Sequence, residues 1–347
     1  MIPDPGATAP GASSPIPALA RDRPMRKSLL SHSDPTAVPS GNYTGRFAPS
    51  PTGPLHFGSL VSALGSFLHA RAQGGRWLVR MEDIDPPREQ PGAAEAILLC
   101  LEAHQLLWDG LLYQSQRGAA YEETLVKLDS LGLLYACDCT RQDLHTMGGI
   151  YQGRCRHRQV DRRQPHALRL RLYPDQPGDA DWLEFEDLFQ GRQRQNLRQT
   201  VGDPILKRKD GLYAYQLAVV ADDLFQQITH VIRGQDLLEV TARQIALFRL
   251  LEAEAPVYGH LPLALNAQGQ KLSKQNLALA LDNRCATNNL WQALVFLGQN
   301  PPAELTGAEP GELLAWATAN WQPEQLASLG NRLAPANHCH PLRTDLS

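Results

Sequence analysis

The chain has 347 residues, 43% hydrophobic and 20% charged, enough for one large globular domain and a smaller appended one. It has no run of 18 or more apolar residues, so no transmembrane helix or membrane partner is expected. The net charge of −3 gives no global sign of a nucleic-acid binder, and any basic surface must be local. Six cysteines in a chain of this length do not make a disulfide scaffold and point to a reduced, cytoplasmic setting with possible metal ligands.

Residues 1–42 carry eight prolines among Ser, Gly and Ala, with no apolar periodicity and no central apolar region of a secretory signal. Such a segment buries too little surface to offset its ordering entropy and is expected to be a disordered tail, with Met25 as an alternative start. "YTGRFAP" then reads as a strand, and 57–73 as a helix with Leu60, Leu64, Phe67 and Leu68 on one face. "RWLVRMED" (76–83) is a second strand, 91–106 a second helix with Pro91 near its start, and 117–131 a third. Strand, helix, strand, helix implies a parallel sheet with right-handed crossovers, the first half (43–136) of an α/β catalytic domain.

Over 137–204 the character changes. Two strand candidates ("ALRLRL", "WLEFEDLF") lie among many arginines with no convincing helix, as in an insertion. From 205 to 276 the sheet is expected to resume. "ILKRKDGLYAYQLAVVADD" reads as a hairpin turning at Asp210-Gly211, "ITHVIRG" as a strand, 237–252 as a helix and "HLPLALN" (260–266) as a strand. Residues 277–347 are helical in pattern, a short C-terminal module.

Two junctions carry candidate chemistry. In "RFAPSPTGPLHFGSL" (46–60), Pro54, His56, Gly58 and Ser59 sit where strand passes to helix. The free N–H groups and positive dipole end of a helix N-terminus suit a phosphate there. Taken alone, "HFG" is an N-capped helix with an incidental histidine. In "QGQKLSKQN" (268–276), Lys271 and Lys274 flank a serine where a loop could close over a triphosphate. Alone, it is a solvated basic loop.

Together they resemble the HIGH and KMSKS signatures of class I aminoacyl-tRNA synthetases, with Ser59 and Gln275 as departures. "RFAPSPTGPLHFG", "VRMEDID", "VIRGQDLLEVTARQ" and "LPLALNAQGQKLSKQ" resemble the glutamyl-tRNA synthetase branch over roughly residues 44–280. The resemblance implies a Rossmann-like parallel-sheet catalytic domain that uses ATP with Mg²⁺. It assigns His56, Lys271 and Lys274 to catalysis, and His56, Gly58, Ser59 and Lys274 to ATP. It also assigns Arg46, Phe47, Ala48, Pro49, Ser50, Glu82, Tyr215 and Arg233 to L-glutamate. The residue types suit those roles: guanidinium forks match carboxylates, a glutamate accepts from an ammonium, and a tyrosine bonds while packing its ring.

"CDCTRQDLHTMGGIYQGRC" supplies Cys137, Cys139 and Cys155, a C-x-C pair and a third Cys sixteen residues on, consistent with tetrahedral zinc. His145, His157 or Tyr151 could be the fourth ligand, and the resemblance favours Tyr151 in a structural, four-ligand zinc site. Seven arginines in 153–171, then Arg192, Arg194 and Arg198, are candidate RNA contacts. Only 72 residues follow Gln275, too few for the large anticodon-binding region of a full glutamyl-tRNA synthetase. The chain thus most resembles the glutamyl-Q tRNA(Asp) synthetases. The resemblance implies tRNA-independent glutamate activation and transfer to queuosine in the tRNA(Asp) anticodon, with a monomer expected. The alternatives are a truncated enzyme charging a tRNA 3′ end and an inactive zinc-stapled RNA-binding module.

Overall fold

The computed structural model describes residues 43–272 and 278–335. The expected tail 1–42 and Lys274, within 273–277, lie outside the described residues. The chain begins with β1 (Thr44–Phe47), α1 (Phe57–Ala72), β2 (Arg76–Met81), α2 (Ala93–Ala103), β3 (Leu111–Tyr113) and α3 (Gly118–Ser130). β1, β2 and β3 are parallel, in register Arg46↔Leu78 and Val79↔Leu111. α1 also lies so close to Leu261, later in the chain, that a Cβ on Gly65 would stand 2.7 Å from Leu261 Cδ1.

Next come β4 (Leu134–Cys137), α4 (Arg141–Thr146), β5 (Ala167–Leu170), β6 (Trp182–Asp187), β7 (Gly191–Asn196) and β8 (Ile205–Lys207). The expected insertion feeds two sheets. β4, β5 and β8 form a small antiparallel sheet, while the β6–β7 hairpin joins a parallel one through Tyr258↔Asp187. α4 and β7 were not expected. Thr140 caps the six-residue α4 in a reciprocal capping box with Asp143, and the polar "GRQRQN" of β7 is held by pairing to β6 rather than by burial.

The remaining elements are α5 (Tyr215–Phe225), β9 (His230–Gly234), α6 (Leu238–Leu250), β10 (Val257–Leu261), β11 (Ala264–Leu265), α7 (Ala286–Phe296), α8 (Pro310–Ala319) and β12 (Arg332–Leu333). The hairpin expected over 205–223 ends at Tyr213, bridged to Lys207, and "YQLAVVADD" is helix α5. Every residue from Leu217 to Asp223 is buried, so the helix lacks the polar face that would have revealed its period. Pro262 likewise divides the strand expected over 260–266 into β10 and β11. β9 and β10 run parallel, and Thr229 N–H donates to Thr44 O at 2.9 Å, linking the β9 side to β1. α7 and α8 share the core of α1 through Leu290, Leu294 and Leu313. Among the described residues, no helix is long and apolar enough to cross a membrane.

Candidate active site

A cleft of about 570 Å³ lies at the carboxyl ends of β1, β2 and β9, where ligands bind in open α/β sheets. Its walls bring together Arg46, Phe47, Ala48, Pro49, Ser50, His56, Gly58, Ser59, Glu82, Tyr215, Arg233 and Lys271. The ring of Phe47 stacks on Trp77 in the core, with centroids 6.3 Å apart.

At one end, His56 is the N-cap of α1. Its Nδ1 accepts from Ser59 N–H at 3.3 Å, so the ring's donor is Nε2. A Cβ on Gly58 would sit 3.2 Å from His56 Cε1, so glycine keeps this surface open. Leu281 N–H donates to Leu55 O at 3.0 Å, and His56 bridges Ala280, so the chain beyond the "KLSKQ" motif is tied back to the "HFG" junction. Lys271 pairs with Asp236 Oδ2 at 2.5 Å, and both line the cleft.

At the other end the charges are buried. Arg46 Nε donates to Asp223 Oδ1 at 3.1 Å, and Arg80 Nη1 donates to the same oxygen at 2.7 Å. Burial opposes ionisation of Asp223, yet the two guanidinium groups hold its carboxyl below the usual range. Glu82 Oε1 is buried without a hydrogen-bond partner, with Arg80 Nη2 3.9 Å away. Burial pushes the Glu82 carboxyl up to about 7, against the pull of Arg80 and Arg46. Burial, and then the Glu82 charge, raise the Tyr215 hydroxyl.

Arg233 leaves the end of β9 with Nη1 buried and unpartnered. Its Nε donates to His260 Nε2 at 3.1 Å, and Nη2 donates to Thr241 Oγ1 at 2.8 Å. The His260 proton therefore sits on Nδ1 and is donated to Asp187 Oδ2 at 2.5 Å. Burial lowers His260 and outweighs the Asp187 carboxylate opposite, so the ring is a neutral spacer between acid and guanidinium. Among the residues that line the cleft, Glu82 thus offers an unsatisfied carboxylate oxygen and Arg233 an unsatisfied guanidinium nitrogen, the complement of a small zwitterion.

Sequence reasoning missed Arg80, Asp223, Asp187, Thr241 and His260, which orient the cleft arginines. Its available signal was charge inside apolar stretches: Arg80 within "WLVRM" and Asp222-Asp223 closing "LAVVADD".

A second cluster lies where β4 ends. The sulfurs of Cys137, Cys139 and Cys155 all lie within 4.8 Å of one another, with Cys139 and Cys155 3.5 Å apart, spacing compatible with thiolates sharing one tetrahedral zinc. The Tyr151 hydroxyl accepts from Cys155 N–H at 2.7 Å, at the edge of the cluster. His145 is exposed and outside it, and His157 faces Asp175 at 3.3 Å.

The arginines meet acids of their own chain. Arg154 pairs with Asp143, Arg156 with Asp203 and Asp175, Arg158 with Asp138, Arg192 and Arg194 with Glu184, and Arg198 with Asp181. Arg169 and Arg171 donate to the Asp203 and Arg156 carbonyls. Arg162 and Arg163 are exposed and have no acidic partner among the described residues.

Residues 43–295 match the family described as tRNA synthetases class I (E and Q), catalytic domain. The glutamyl-Q tRNA(Asp) synthetase of Thiobacillus denitrificans is 53% identical over 289 residues, covering 81% of this chain and 94% of that protein. That of Serratia proteamaculans is 51% identical over 285 residues, covering 82% and 92%. Among solved structures, the glutamate-tRNA synthetase of Elizabethkingia anophelis is similar with a TM-score of 0.66 and 25% identity, over 84% of this chain and 68% of that one.

Proposed function

The chain belongs to the class I tRNA synthetases for glutamate and glutamine, and from that premise we propose that it activates L-glutamate with ATP and passes it to queuosine in the anticodon of tRNA(Asp). One observation carries the amino-acid half of the reading: the unpartnered Glu82 Oε1 and Arg233 Nη1 await an ammonium and a carboxylate. Glu82 takes the substrate ammonium, and Arg46 and Arg233 take carboxylates, with Tyr215 packing between.

The α-carboxylate oxygen then attacks the α-phosphorus of ATP. The bond to the β-phosphate oxygen breaks, and pyrophosphate leaves with the electron pair. His56 Nε2 and the open N-terminus of α1 face the phosphates, and Lys271 and Lys274 offset the charge that develops on them. Mg²⁺ bound with ATP supplies further neutralisation of that charge. An acceptor hydroxyl next attacks the acyl carbon, an ester forms, the C–O bond to AMP breaks, and the hydroxyl proton leaves to phosphate or water.

Tyr151 completes a structural zinc site with Cys137, Cys139 and Cys155. The nearness of its hydroxyl to Cys155, and the distance of both histidines from the sulfurs, support that choice. The use of ATP and tRNA as substrates supports a cytoplasmic reaction, and a monomer is the working unit we propose.

Pyrophosphate exchange with glutamate and ATP in the absence of tRNA is expected to proceed. Labelled glutamate should then pass to queuosine-containing tRNA(Asp) and survive blocking of the 3′ end. No exchange would leave an RNA-binding module, and labelling that ignores queuosine would mean ordinary 3′-end charging.

A further inference from the structure

Beside the glutamate corner, a smaller recess of about 170 Å³ opens between the turn at 85–89, Gln114 and the 207–213 hairpin. It shares Ser50, Thr52, Glu82, Arg88 and Tyr215 with the main cleft, and none of His56, Gly58, Asp236 and Lys271 lines it. The recess therefore adjoins the glutamate position on a side that the phosphate-facing residues do not reach. A cavity of roughly 150 Å³ admits benzene, so this one has room for a single substituted ring.

Its unsatisfied polar atoms are of one kind. Gln114 is fully buried, and its Nε2 donates to Asp222 Oδ2 at 2.9 Å. That bond fixes the amide orientation and leaves Oε1 as a buried acceptor with no partner. Glu89 Oε1 is likewise buried without a partner. The cations nearby are already matched: Arg88 pairs with Asp85 at 2.5 Å, and Arg208 with Asp85 at 3.2 Å and Asp210 at 2.6 Å. Burial, together with the Asp83 and Asp85 charges, raises the Glu89 carboxyl. Buried acceptors cost free energy until a donor reaches them, so the lining calls for a ligand rich in N–H and O–H groups.

We propose that this recess is the acceptor subsite, in which Gln114 Oε1 and Glu89 select a ring that carries hydroxyls and an ammonium. The assignment rests on the function proposed above. It adds a chemical reason for the acceptor's identity: queuosine presents a ring diol and a secondary amine, whereas an unmodified guanine presents neither. One hydroxyl of the bound ring would then face the activated glutamyl carbon beside Glu82 and Tyr215.

The test compares Glu89→Gln and Gln114→Met with the unaltered protein in two assays. Pyrophosphate exchange without tRNA should stay within about twofold in both, which also shows that they fold. Transfer to queuosine-containing tRNA(Asp) should fall at least about tenfold, chiefly as a raised KM for the tRNA. Wild-type transfer by both variants, with exchange intact, would overturn the subsite. If the unaltered protein exchanges pyrophosphate yet fails to label queuosine-containing tRNA, the function reading itself falls, a result distinct from failure of the subsite alone.

Discussion

Asp223 receives two guanidinium groups on one carboxylate, in a place where neither partner meets water: Arg46 is 3% exposed, Arg80 0% and Asp223 2%. Removing one member of such a set leaves uncompensated charge in the core. Asp223→Ala should therefore lower the unfolding free energy by about 3–5 kcal/mol in denaturant titration, and the surviving folded protein should show a raised KM for glutamate. Glu82 gives a pH signature. Its carboxyl in the folded protein titrates at about 7, above its ordinary value, so the neutral form stabilises the empty cleft. That contribution is fully present below the unfolded carboxylate range and is lost as pH rises through about 7. A bound ammonium supplies the missing partner, so the rise in melting temperature caused by glutamate should grow between about pH 6 and 8. The growth should vanish in Glu82→Gln; its persistence there would assign the effect to another group. That Arg46, Glu82, Tyr215 and Arg233 gather in one cleft was legible because they sit in recognisable motifs. Their supports were not, because one sequence cannot say that Asp187 and His260, separated by 73 residues, hydrogen-bond to each other.

At the scale of elements, the parallel strands and the helices between them could be read from alternating periods, since β1 and α1 pass from one spacing to the other within a few residues. The sequence misled where an element had no solvent face, as in α5, or was polar on both faces, as in β7. The β4–β5–β8 sheet sends Leu134, Leu170 and Leu206 into a large core, whereas the cysteine-bearing segment beyond β4 rests on a small apolar cluster of Tyr135, Cys137, Tyr151 and Cys155. So little apolar surface leaves that segment's order dependent on the proposed metal. Cys137→Ser, or a chelator, should lower zinc content and speed amide hydrogen exchange over 138–160. Protection of β9 and β10 should be nearly unchanged. Full zinc occupancy in the variant would show that the ligand set is wrong.

Across the whole molecule, charge is spent internally. The arginine-rich stretch looked like an RNA surface in sequence, but its guanidinium groups mostly face the chain's own carboxylates and carbonyls, and counting arginines could not reveal those pairs. Among the described residues of that stretch, Arg162 and Arg163 are exposed with no acidic partner, which leaves them open to phosphate. Replacing both with alanine should flatten the slope of log affinity for tRNA against log salt by about one to two units, since each phosphate contact contributes roughly 0.7–0.9. α7 and α8 fall where the pattern was helical, but β12 and the core they share with α1 could not be inferred, because those pairings are long-range.

The link between Thr44 and Thr229 spans 185 residues. During synthesis, β1 must therefore wait for β9 before the floor between Arg46 and Arg233 can close. At about 5–20 residues per second that wait is on the order of ten to forty seconds. Until α5 has followed, a nascent chain holds Arg46 and Arg80 without the Asp223 carboxylate that neutralises them, and Arg233 then waits for His260 on β10. Competence to activate glutamate is accordingly acquired late, and the interval before it is when the chain is most exposed to misassembly and proteolysis.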